Sequence, residues 1–147
     1  MKMYQKILIA LDFHGDNDQI IEKAQKLADD NKAEIVLLHV NEPLAIAYSM
    51  DGMGYGDQIV SLESAIRKEA MVKMNKVADK LDVKGENRLI RSGNPASEIH
   101  DVVDTQSIDL IVMGTHGQSG LQLLLGSTAN SVLHGVSCDV MTVRIKD

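Results

Sequence analysis

Apolar positions along the chain follow two different periods. Five short runs are continuously or largely apolar: Lys6 to Leu11 (KILIAL), Glu34 to Val40 (EIVLLHV), Asn87 to Arg91 (NRLIR), Leu110 to Met113 (LIVM) and Cys138 to Ile145 (CDVMTVRI). Such runs are too short for helices and suit strands buried on both faces of a parallel sheet. The third is less apolar than the others, which predicts an edge strand. The last alternates in its second half, with Met141, Val143 and Ile145 on one face and Thr142 and Arg144 on the other.

Between these runs the spacing becomes helical. Ile20, Ile21, Ala24, Leu27 and Ala28 share one face, and Leu62, Ile66, Ala70, Val77 and Leu81 mark a long second helix ending before Gly85. Ile99, Val102 and Val103 define a third, and Ala129, Val132, Leu133 and Val136 a fourth that runs to about Gly135. Gly15-Asp16-Asn17 reads as a turn in which Asp16 caps the first helix, with Gln19 in the reciprocal position of a capping box. Asn94 as N-cap and Pro95 at the first helical position start the third. Asn41 to Asp57 breaks every period and carries Gly52, Gly54 and Gly56; it reads as a lid over a ligand or as a surface loop.

Strand, helix and strand within the first forty residues make a βαβ unit with a right-handed crossover. Five strands separated by four helices predict an α/β fold: a single-domain, doubly wound, open parallel sheet with helices on both faces. No internal repeat, low-complexity tract or linker divides the 147 residues, and that length fits one domain, 1–147.

Composition narrows the function. Net charge is −6 and no run of Lys or Arg stands out, which argues against a nucleic-acid groove. With no Trp, one Phe and three Tyr, the core is aliphatic, and both base-stacking platforms and a flavin site lack their aromatics. Cys138 is alone, and His14, His100 and His134 show no metal spacing. No signal-peptide pattern and no membrane-length apolar run appears, so the expectation is a cytoplasmic protein without membrane insertion.

Candidate chemistry gathers between Asp109 and Asn130. There the fourth strand turns at Gly114 and meets Gly117, Gly120 and Gly126 before the fourth helix begins. Glycines admit close approach of an anion to the backbone, and Ser127 or Thr128 can cap the helix or donate a hydroxyl to a phosphate. The segment is neither a P-loop nor a G-x-G-x-x-G fingerprint. Asp12, at the end of the first strand, suits a ribose, a metal ion beside phosphates, or a βα-turn cap. His39, inside an apolar strand, reads as a core imidazole with one hydrogen bond, whereas His116 lies within the glycine segment and can approach phosphates.

Gly114-Thr115-His116-Gly117, the eight-residue leucine-rich spacer Gln118 to Leu125, and Gly126-Ser127-Thr128-Ala129 resemble the signature of the universal stress protein family. Its nucleotide-binding members carry G-x-x-G, usually nine residues, then G-S/T. Ala10-Leu11-Asp12 and Leu38-His39-Val40 extend the resemblance over nearly the whole chain. It implies a Rossmann-like sheet of the adenine nucleotide alpha hydrolase type, with strand order 3-2-1-4-5 and its reversal between strands one and four. It also implies an adenine nucleotide, ATP, ADP or AMP, with any Mg²⁺ held mainly by the phosphates. By this resemblance Asp12 and the Val40 backbone hold the nucleoside, and Gly114, Gly117, Gly126, Ser127 and Thr128 hold the phosphates. Ala10, Leu11, Met113 and His116 complete the implied nucleotide-binding set.

The expected role is regulatory and non-catalytic, in a stress response. Phosphoryl transfer needs a cation and a base, and the motif segment has no Lys or Arg and only His116 as a base. A slow ATP hydrolase and a nucleotide-free dimeric signalling module are the alternatives. The resemblance further implies a homodimer through the final strand, Val140 to Ile145, whose edge carries no proline and only Arg144 as a charge. It points to no particular protein partner.

Overall fold

A computed structural model describes residues 3–13, 17–43, 56–114 and 127–145, with the side chains of Ser127 and Thr128 left aside. Five strands, β1 (Lys6–Ala10), β2 (Glu34–Asn41), β3 (Arg88–Ser92), β4 (Leu110–Gly114) and β5 (Asp139–Val143), form one sheet in the order β3-β2-β1-β4-β5. Every pairing is parallel, so the expected architecture is the one observed. Between the strands lie α1 (Asp18–Asn31), α2 (Gly56–Leu81), α3 (Pro95–Gln106) and α4 (Ser127–Leu133), with a short 3-10 turn at Gly85–Asn87.

Alternate side chains of the apolar strands feed two cores. Ile7, Ile9, Leu37, Leu110 and Val112 pack against Ile20, Ala24 and Ala28 of α1 and Ala70, Met74 and Ala78 of α2. Leu8, Val36, Leu38, Ile111 and Met113 face the other way, onto Ile99 and Val102 of α3 and Ala129 and Val132 of α4. The less apolar β3 stands at an edge, as its composition predicts, and β5 stands at the opposite edge. Asn94 caps α3 as expected, its side-chain oxygen accepting from the Ser97 N–H at 3.0 Å, with Pro95 in the first turn.

Three sequence expectations change. The cap position of α1 falls on Asn17 rather than Asp16, and the Asn17 side chain makes no capping bond because it is turned back onto Asp12; Asp16 itself lies outside the described residues. The strand predicted from Cys138 to Ile145 is shorter, Asp139–Val143. In α2, Leu62 is 50% exposed and full burial begins only at Ala70. The cause is length: 26 helical residues extend ~39 Å, well past the ~17 Å of a five-residue strand. Helical spacing identifies the apolar face, but only the sheet underneath decides how much of it is covered. Most of the irregular insert lies outside the described residues, and its end, Gly56 and Asp57, is already helical.

Candidate functional site

Strand order reverses at β1: β2 and β3 follow on one side, β4 and β5 on the other. Crossovers on either side of such a point leave by opposite faces, which opens a crevice beyond the carboxyl ends of the two central strands. The register Ile9↔Val112, extended by one and then two residues, sets Ala10 beside Met113 and Leu11 beside Gly114. Five sequence-predicted residues, Ala10, Leu11, Asp12, Met113 and Gly114, thus meet at one place. Leu11 and Met113 are each 5% exposed and carry packing, whereas Asp12 and Gly114 are half-buried at the rim.

Val40 joins them through its backbone. The Leu11 N–H donates to the Leu38 carbonyl at 2.9 Å, so the Leu38 peptide groups face β1. Two residues on, in the same strand, the N–H and C=O of Val40 face the same way. By then β1 has ended, since its last register with β2 is Ala10↔Leu38. A donor and an acceptor from one residue therefore point toward the gap that β1 leaves.

Asp12 is held by the start of α1. Asn17 donates its amide N–H to the Asp12 carbonyl at 2.8 Å and accepts from the Asp12 N–H at 3.4 Å. Asn17 is a site-building residue that sequence reasoning missed. Its signal was an Asn five residues after a strand-end Asp, which is also an ordinary cap signal.

His39 is the second. It is buried, as predicted, but makes two polar contacts rather than one: Nδ1 lies 2.8 Å from the Leu11 carbonyl oxygen and Nε2 lies 3.0 Å from Asn41 Oδ1. The Phe13 ring packs on it with centroids 4.5 Å apart. Gly114 has a packing reason for lacking a side chain, because a Cβ there would stand 2.9 Å from Ile20 Cδ1 and 3.5 Å from Ile145 Cδ1. His116, Gly117 and Gly126 lie outside the described residues, while Ser127 and Thr128 open α4.

Nearby charge is largely committed. Arg91, near the end of β3, donates to Asp101 at 2.6 Å and lies 3.7 Å from Glu98. Among the described residues no group of three His, Cys, Asp or Glu side chains is placed to hold a metal ion. Two further reactive groups among the described residues lie at the other end of the sheet. Cys138 precedes β5, and burial, helped by Asp139, pushes its thiol up to about 11, so it stays protonated and unreactive near neutral pH. Tyr4 donates its hydroxyl to Asp139 at 2.8 Å, a bond that raises the phenol above its ordinary value. A polar concavity of about 480 Å³ lined by Gln5, Lys6, Glu34 and Asp109 also lies at that end and is separate from the crevice. No helix among the described residues is long and apolar enough to cross a membrane.

The universal stress protein family model matches residues 3–144. The chain belongs to the universal stress protein family. Universal stress protein A homolog 2 of Coxiella burnetii is 37% identical over 147 residues, which cover 99% of each chain. The solved structure of protein MJ0577 from Methanocaldococcus jannaschii superposes with a TM-score of 0.79 at 25% identity, covering 99% of both chains. Another solved structure is a universal stress protein in complex with cAMP, with a TM-score of 0.61 at 23% identity, covering 96% of this chain and 97% of that one. At that identity the likeness is one of fold.

Proposed function

We propose that this universal stress protein family member binds ATP or a related adenine nucleotide in the crevice between β1 and β4, in a regulatory and non-catalytic role in stress response. The observation that carries this reading is the convergence of Asp12, the Val40 backbone and Gly114 at the point where strand order reverses. The donor set fits the ligand. The Val40 N–H and C=O match the one acceptor and one donor that adenine presents on its pairing edge, and the Asp12 carboxylate suits the donating hydroxyls of a ribose. The phosphate half is assigned by motif resemblance to Gly114, Gly117, Gly126, Ser127 and Thr128, with Met113 and His116 alongside. The cAMP complex of a neighbour shares the fold alone and adds only that an adenine nucleotide has been seen in a protein built this way. Mg²⁺, where present, would be held by the phosphates.

The non-catalytic part of the reading is supported by what phosphoryl transfer needs. No Lys or Arg lies between residues 114 and 128, and Arg91 is engaged by Asp101 and Glu98. The same reading expects a cytoplasmic protein and a homodimer paired along the β5 edge. Two measurements test the reading. Purified protein, denatured and centrifuged, should release an adenine nucleotide into the supernatant or, if stripped, should bind added ATP in a titration. Asp12→Ala should weaken that binding at least tenfold, or about 1.4 kcal/mol. Failure of the folded wild type to bind any adenine nucleotide overturns the proposal in favour of the nucleotide-free module. Phosphate release far above that of Asp12→Ala would make the protein an enzyme.

A further inference from the structure

His39 occupies a position where an aliphatic side chain would be simpler. It is 9% exposed on the face of β2 that packs toward α1 and α2, in line with Leu37 and Ile35. An imidazole buried there must find partners for two ring nitrogens, and polar groups buried without partners are costly. Both of its partners belong to chain segments flanking the crevice. The Leu11 carbonyl, 2.8 Å from Nδ1, immediately precedes Asp12, and the Asn41 side chain, 3.0 Å from Nε2, immediately follows Val40. Phe13, on the other side of Asp12, lays its ring against the imidazole at 4.5 Å. Asn41 is in turn anchored to the next strand, since its carbonyl accepts from the Gly93 N–H at 3.0 Å.

The protons follow from the partners. A backbone carbonyl only accepts, so Nδ1 carries the hydrogen. The other ring nitrogen, Nε2, pairs with the Asn41 carboxamide, which offers both an acceptor oxygen and a donor N–H. One ring therefore ties the end of β1 to the end of β2 on either side of the two residues assigned to the nucleoside.

We propose that His39 is a positioning residue of the nucleoside half of the crevice. Its Nδ1–H fixes the Leu11 carbonyl and its Nε2 fixes Asn41, and together these hold Asp12 and the Val40 peptide groups at a set spacing and orientation. His39 does not touch the ligand. The inference rests on the nucleotide reading above, and its test separates the two. Long-range proton–nitrogen NMR correlations on the labelled wild type should show hydrogen on Nδ1; an imidazole bearing its only hydrogen on Nε2 overturns the arrangement. In ATP titrations, folded His39→Leu should lose at least tenfold in affinity. His39→Gln, which keeps a donor and an acceptor, should recover at least half of that loss on a logarithmic scale. Wild-type affinity in His39→Leu, or equal weakness of both variants, overturns the positioning role. If wild type binds no ATP, the nucleotide reading falls while the His39 tie is still decided. The Asp12 and Val40 amide resonances should move in His39→Leu, and their staying put sinks the tie. Should His39→Leu fail to fold, the same resonances in His39→Gln decide it.

Discussion

At the scale of single residues, Gly114 shows how a motif position can answer to more than one demand. The sequence pattern explains it by close approach of a phosphate. The structure adds a neighbour, Ile20 Cδ1, only 2.9 Å from where a Cβ would stand. That atom is the far end of a flexible side chain, so the overlap is relieved by a modest shift. Gly114→Ala should therefore cost about 1 kcal/mol, at the low end for overpacking. Ile20→Val removes the offending methyl, and in that background the same substitution should cost measurably less, with a coupling of about 0.5 kcal/mol or more in a denaturation cycle. Strict additivity would mean that Ile20 is not the obstacle. ATP affinity in the double variant then reads the phosphate role separately, because the packing conflict has been taken away. Asn17 makes the complementary point: a residue type suited to capping is used instead to hold Asp12 by both of its peptide groups.

Among the elements, α2 is covered very unevenly. Its 26 residues outrun the sheet, so Ala70, Met74 and Ala78 are buried while Val60 and Leu62 are 69% and 50% exposed. Stability should follow that division rather than the helical periodicity. Met74→Ala, at a fully buried position, should destabilise by about 2–5 kcal/mol. Leu62→Ala should stay within about 0.5 kcal/mol, as surface substitutions do. Urea melts of the two variants check this, and a large loss at Leu62 would mean that the first half of the helix is covered in solution. By contrast, α3 was legible at its start, because Asn94 and Pro95 act through local geometry that needs no partner layer.

On the scale of the whole molecule, the sheet has two edges, β3 and β5. An edge presents unpaired peptide groups, and β5 has neither proline nor an inward charge to discourage pairing with a second copy. A two-fold pairing along β5 would be self-complementary, and light scattering at micromolar concentration should give about twice the mass of one chain. A mass near that of one chain overturns this expectation. A doubly wound parallel sheet of five strands with helices between them was readable from the sequence because buried parallel strands and amphipathic helices write their periods directly into it. The strand order and the family came from motif resemblance rather than from periodicity, and the strand-end positions of Asp12 and Gly114 were legible because each ends an apolar run. Other features depend on distances between segments far apart in the chain. The overhang of α2 depends on how far the sheet extends, and Ile20 crowds Gly114 only because α1 lies over β4. His39 meets Leu11, 28 positions earlier, only because β1 and β2 are neighbours in this register. Periodicity and turn chemistry are local and survive in one dimension; which strand ends share a crevice, and which side chain ties them together, exists only once the sheet has formed.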